Sequence, residues 1–284
     1  MSVSGKEKKA INRQKRIFFA MPVFDTIAAT LIHSWNQAAA EPIQIQCAQT
    51  GHDEDPMFLT IAQALESEAS MITIRTSQQD KGLPGFKLKE NIMFSAFPLE
   101  RELEPFLEAL SHINARRLPL PDDIQYELDT IDIPVHLKLY IALACPHCPA
   151  MVRSVMPLAM YCPNIYLEII DGSLFSDAAR QDQVLSAPCL ILDGDFRWTR
   201  QADIGEITRM IARRDPTLLG TETLLTILEQ GKAQWLSDQM IDQKQIFKNF
   251  LTLLLHDTWA VRLGAMVVLE DLCAKDPSLA ATIC

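Results

Sequence analysis

The stretch YIALACPHCPAM, residues 140–151, decides how the chain is read. An apolar run of strand length ends in two cysteines separated by two residues, and prolines at 146 and 149 mark a passage from loop to helix. In a C-x-x-C that opens a helix, the first cysteine stands at the N-terminus and the second one turn in. Unpaired backbone N–H groups and the helix dipole then favour a thiolate at Cys145, the candidate nucleophile. Pro146 suits the first helical position, where a missing N–H costs nothing, and His147 adds a polar, potentially cationic neighbour that favours the thiolate further. Cys148, expected to be less exposed, is the candidate resolving thiol. Zinc sites use the same spacing, but a four-coordinate structural site needs a second close pair of Cys or His. The sequence offers none, so no metal is expected.

Working outward, 284 residues suffice for two or three domains with real cores. A formal net charge of −10 argues against a nucleic-acid binder, which presents a basic field to phosphates. Seven cysteines with one close pair do not make a secreted disulfide framework; they point to a reducing, cytoplasmic setting with one specialised site. Cys47, Cys162, Cys189, Cys273 and Cys284 are read as buried, inert thiols. The N-terminus mimics a secretory signal, a basic run followed by IFFAMPVFDTIAATLI. Pro22, Asp25, Thr26 and His33 interrupt its apolar stretch, so a basic tail over 1–17 leading into an amphipathic helix is the reading. No stretch approaches a membrane span.

The pattern predicts a helix over 23–39 with Ile27, Leu31 and Trp35 on one face, a strand at PIQIQC, and a helix over 56–67. A strand at SMITIRT, a hairpin in FKLKENIMFSAF turning near 89–91, and a helix in LERELEPFLEALSHI complete a first unit, 18–118. After the proline-marked RRLPLPDD and a short helix, a second unit, 119–216, repeats the order. It has a strand at VHLKLYIAL, a helix over 146–161, a strand at NIYLEII, a helix through SDAARQDQVL, a strand at PCLILDG, a turn at DGDFRW, and a helix at ADIGEITRMIARR. From 217 to 284 the strand signal disappears. Amphipathic helices are expected there, including 246–255 and one over 257–274 with Asp257 as N-cap and Val261, Ala265, Val268 and Leu272 on one face. The latter is similar to the second helix of a HEAT-type repeat. DPSLAATIC looks like a helix just beginning, as in a truncated product. The fold class is thus α/β, two fused thioredoxin-like units of mixed sheet covered by helices, followed by an all-α subdomain.

The stretches YIALACPHCPAMV, PNIYLEIIDGSLFSD and APCLILDGD resemble the N-terminal domain of the flavoprotein component of alkyl hydroperoxide reductase, two fused thioredoxin-like units. The archaeal-type protein disulfide oxidoreductases share that plan. GLPGFKLKENIMFSAFPLERELEPFLEAL looks like the first unit of that domain, so the resemblance covers about 18–215. It implies a dithiol carrier that exchanges with protein disulfides, such as that of a peroxiredoxin. Cys145 attacks, Cys148 resolves, and Ala187 with a cis Pro188 forms the substrate-binding edge. The first unit carries CAQTGHDED where a redox motif would sit, so Cys47 lacks a partner and that unit is read as structural or docking. No G-x-G-x-x-G occurs, so no cofactor is expected and the electron donor is a separate reductase. Such folds often keep a buried carboxylate near the resolving cysteine. The strand before the motif carries Lys138, leaving Glu168 as a substitute or a solvent-facing charge. The alternative function is a redox-sensing adaptor whose helical tail binds a partner.

Overall fold

A computed structural model describes residues 22–115, 117–194, 196–199 and 203–283. The basic segment 1–17, the start of the first unit at 18 and Cys284 lie outside them. The first half opens with α1 (Thr26–Ala38), where the Asp25 side chain accepts from the Ala28 N–H at 2.8 Å. Then come β1 (Ile43–Gln49), α2 (Asp55–Glu68), β2 (Ile72–Gln78), the hairpin strands β3 (Gly85–Lys89) and β4 (Ile92–Ser95), a 3-10 turn at Glu100–Glu102, and α3 (Leu103–His112). The apolar face expected on α1 is rotated: Ile32 is buried, whereas Ile27 and Leu31 are exposed. The helix lies against α2 and α3, and Trp35 donates its indole N–H to Ser111 Oγ at 2.8 Å, so docking chooses the face.

The second half runs through α4 (Asp122–Asp129), β5 (Val135–Ile141), α5 (Cys148–Tyr161), β6 (Ile165–Asp171), α6 (Ser176–Gln181), β7 (Cys189–Leu192), β8 (Phe196–Thr199) and α7 (Ile204–Ala212). The reading of DGDFRW as a turn is corrected: the turn is Asp193 and Gly194, at φ 49° and 88°, and Phe196–Thr199 returns antiparallel along β7. A strand of four residues is too short to show its alternation, but its backbone completes the hydrogen bonds of β7. Among the described residues eight strands form one sheet in the order β2-β1-β3-β4-β6-β5-β7-β8. Each half contributes the same internal pattern, a parallel pair and two antiparallel pairs. The halves meet where β4 pairs parallel with β6. Beside this seam the buried Asn91 donates its amide to the carbonyls of Ala159 (2.9 Å) and Ile165 (2.8 Å).

The remaining chain is helical: α8 (Thr221–Glu229), α9 (Ala233–Gln243), α10 (Phe250–Leu254), α11 (Trp259–Lys275) and α12 (Pro277–Ala280). Val261, Ala265, Val268 and Leu272 do form the buried face of α11, in a core of their own with Leu224, Leu236 and Phe250. Thr258, not Asp257, is the cap residue, because the His256 and Asp257 carbonyls accept from Arg262 before the helix begins. The helix expected over 246–255 shortens to α10. This layer is anchored to the second half by polar contacts at Asp193. Its carboxylate pairs with Arg214 at 2.9 Å, both side chains 5 % exposed, and accepts from the Thr223 hydroxyl. His136 Nε2 and Thr226 Oγ1 lie 3.0 Å apart nearby.

Candidate active site

β5 ends at Ile141, and the chain turns through Ala142–His147 before α5 begins at Cys148. The helix starts two residues later than expected, so Pro149, not Pro146, occupies its first turn. Cys145 precedes Pro146, which disfavours helical backbone there, and therefore stands ahead of the helix. It is half-buried; its backbone N–H donates to the Ala142 carbonyl at 2.8 Å and its thiol to the Ala187 carbonyl at 3.5 Å. The Ala187–Pro188 bond is cis, and β7 starts at the next residue. The sheet thus brings Ala187 and Pro188 to Cys145. Pro146 and His147 are exposed; the His147 side chain makes no capping hydrogen bond.

Cys148 is fully buried and hydrogen-bonded to Cys145. Burial, that hydrogen bond and the negative charges of Cys145 and Glu102 push its thiol well above the ordinary range. Resolution therefore requires a nearby proton acceptor. Glu102, from the first half, is 0 % exposed, and neither carboxylate oxygen has a hydrogen-bond partner. Burial pushes its pKa up to about 7, with Arg153 pulling it down and Asp171 pushing it up. Arg153 on α5 is itself held by Glu104 (2.8 Å) and Glu108 (2.7 Å) of α3. Sequence reasoning sought this carboxylate on the strands beneath the motif and missed it. Strand alternation sends Lys138 and Glu168 to the opposite face, where Lys138 pairs with Asp182 at 3.3 Å. One signal was available: Glu102 lies four and seven residues before Phe106 and Ala109, on the same buried stripe.

The corresponding place in the first half holds no cysteine pair. Asp55 and Pro56 open α2 as Cys148 and Pro149 open α5, and the Asp55 carboxylate accepts from the N–H groups of Thr50 (3.1 Å) and Gly51 (2.8 Å). His52 packs edge-on against Phe175, with ring centroids 5.2 Å apart. Cys47 lies in β1, and burial, aided by Asp55, pushes its thiol up to about 11. Cys162 and Cys189 are likewise buried with raised thiols, burial being the main cause. Cys189 pairs with Tyr140, away from the redox pair. Cys273, expected to be buried, is exposed, because it lies on α11 opposite the face that packs. Among the described residues no three His, Cys, Asp or Glu side chains cluster to hold a metal, and no helix is long and apolar enough to cross a membrane.

No protein-family model matches the chain. The F component of alkyl hydroperoxide reductase from Pseudomonas aeruginosa is 24% identical over 218 residues, 74% of this chain and 42% of that protein. An NADH dehydrogenase of Bacillus subtilis is 21% identical over 190 residues, 65% of this chain and 37% of the relative. The chain thus spans less than half the length of these relatives. Among solved structures, the N-terminal domain of the alkylhydroperoxide reductase of Enterococcus faecalis superposes with a TM-score of 0.58 at 17% identity, over 66% of this chain and 99% of that one. A protein disulfide oxidoreductase from Aeropyrum pernix gives 0.60 at 15% identity, over 67% and 94%. The fold is thioredoxin-like.

Proposed function

We propose that the chain is a thiol–disulfide oxidoreductase whose unit 119–216 exchanges electrons between protein dithiols and disulfides. One arrangement carries this reading. The half-exposed Cys145 stands against the Ala187 carbonyl, with the buried Cys148 and the unpartnered Glu102 carboxylate behind it. In the reductive direction the Cys145 thiolate attacks one sulfur of the partner's disulfide. The partner's S–S bond breaks, a mixed disulfide forms, and the departing thiolate takes a proton from water. Glu102 then accepts the Cys148 proton, and Cys148 attacks Cys145 Sγ. The second partner thiolate leaves, and a Cys145–Cys148 disulfide remains. The partner has gained two electrons and the pair has lost two; a separate reductase dithiol restores it.

The partner's extended backbone lies along Ala187 and Pro188. A peroxiredoxin-type disulfide is the acceptor favoured by the likeness to a hydroperoxide reductase component, and the cysteine usage favours a reducing, cytoplasmic setting. The test uses dithiothreitol-coupled reduction of insulin. Cys145→Ser abolishes turnover, and Cys148→Ser accumulates a mixed disulfide visible by mass spectrometry. Turnover that survives Cys145→Ser refutes the reading. The second reading, a redox-sensing adaptor with a HEAT-like docking tail, is favoured by the exposed apolar side chains of Leu255 and Trp259, 85% and 62% exposed. A wild type without turnover that still binds a partner through this surface would select it.

A further inference from the structure

Helix α11 is apolar on both sides. Val261, Ala265, Val268 and Leu272 fill the core of the helical layer, yet the opposite side is hardly more polar. Trp259, Leu263, Met266 and Cys273 lie there, all exposed, with the exposed Val267 beside them. A helix that is apolar all round is one that is covered all round. Leu251 and Leu255, immediately ahead of α11 and also exposed, add to the patch. The six large side chains together present on the order of 600 Å² of apolar surface, the upper limit of what a monomer ordinarily leaves to water.

Spacing and charge point to the occupant. Trp259, Leu263, Met266, Glu270 and Cys273 follow one another at intervals of four, three, four and three residues, the repeat of a seam between two paired helices. Glu270 is the one charge in that seam. Lys275, the next basic residue along, pairs with Asp271 and Asp238 at 2.7 Å, so Glu270 has no ion pair among the described residues. Arg262 lies at the edge of the same side. Its Nη1 donates to the His256 and Asp257 carbonyls and its guanidinium rests 5.4 Å from the centroid of the Trp259 ring, while Nε and Nη2 hold no partner among the described residues. Arg262 and Glu270 stand four residues either side of Met266. Two antiparallel copies of α11 meeting at Met266 therefore bring each Arg262 level with the Glu270 of the other copy. Each Trp259 comes level with the other copy's Cys273, both seven residues from the centre. A lone charge in an apolar seam sets the register when the facing helix neutralises it, and this chain carries the matching charge at the matching position. Two such patches bury on the order of 1,200 Å², the lower limit for a specific interface.

We propose that the exposed face of α11 pairs antiparallel with α11 of a second copy of this chain, about a two-fold axis at Met266, and so makes a weak homodimer. The test is analytical ultracentrifugation of the reduced full chain over a concentration series. A dimer forms at about 100 μM and dissociates on dilution to about 0.1 μM, as suits an interface of this size. Leu263→Glu and Met266→Glu, at exposed side chains that leave the packed face of α11 untouched, each weaken the dimer at least about tenfold. Both keep the wild-type melting temperature at the lowest concentration. Glu270→Arg sets like charges against one another across the seam and weakens the dimer by about tenfold as well. Leu185→Glu, at an exposed leucine of the second half, leaves it unchanged. A chain that is monomeric at every concentration, a dimer indifferent to both α11 glutamate variants, or one as tight with Glu270→Arg overturns the proposal. Cys145→Ser dimerises as the wild type does, so failure here and failure of the exchange reaction are read separately.

Discussion

Glu102→Gln replaces a buried, unpartnered carboxylate by a neutral side chain of nearly the same shape. The native state holds the Glu102 proton up to about pH 7, against an ordinary value of 4.5. At 1.36 kcal/mol per pKa unit, that gap is worth ~3 kcal/mol. The sign follows from the native state binding the proton more tightly than the unfolded chain. The stabilisation is full below about pH 4.5 and is lost as pH rises through about 7. Urea unfolding of the reduced protein between pH 5 and pH 8 therefore shows the wild type losing ~2.5 kcal/mol relative to Glu102→Gln, the rest of the gap being lost already at pH 5. His112 and His136, both lowered by burial, act in the opposite sense but equally in both proteins, so they cancel in the difference. The same variant slows resolution of a preformed Cys145–glutathione mixed disulfide at pH 7 by at least about a hundredfold, the lower range for losing a general base. Parallel stability curves for the two proteins, or an unchanged resolution rate, would refute the assignment of Glu102 as the proton acceptor.

Arg214→Ala leaves Asp193 buried without its ion-pair partner and costs about 3–5 kcal/mol by urea unfolding, with amide exchange in α8 rising first. Unchanged protection of α8 would show that Asp193 does not anchor the helical layer. Asn91→Ala strips a donor from the Ala159 and Ile165 carbonyls at the seam between the halves. It lowers stability by about 1–3 kcal/mol, while the Cys145 alkylation rate stays at the wild-type value.

Local features of the chain were legible because their causes are local. The two cysteines, the flanking prolines, and Pro188 ahead of a short apolar strand lie within a few residues of one another or of an obvious punctuation mark. The strand and helix order followed from periods of two and three to four residues. Where periodicity met docking, it failed by rotation: Ile27 and Leu31 on α1 point outward although their spacing is helical, because α2 and α3 receive the Ile32 side instead. Where an element was short, it failed by omission, as for β8. At the motif itself the error was of two residues, since two prolines competed for the first turn and the second one took it.

By itself, then, the sequence determined the fold class, the close cysteine pair and the absence of such a pair from the first half, where Asp55 and Pro56 stand at the helix start. Tertiary structure alone decided which carboxylate lies desolvated behind Cys148. Whether an acid is desolvated depends on what distant elements cover it, and Glu102 is covered only because α3 of one half packs on α5 of the other. An open cleft on the sheet's other face has the same origin, because its lining comes from β5, β6 and α8, which only the helical layer lying across the sheet brings together.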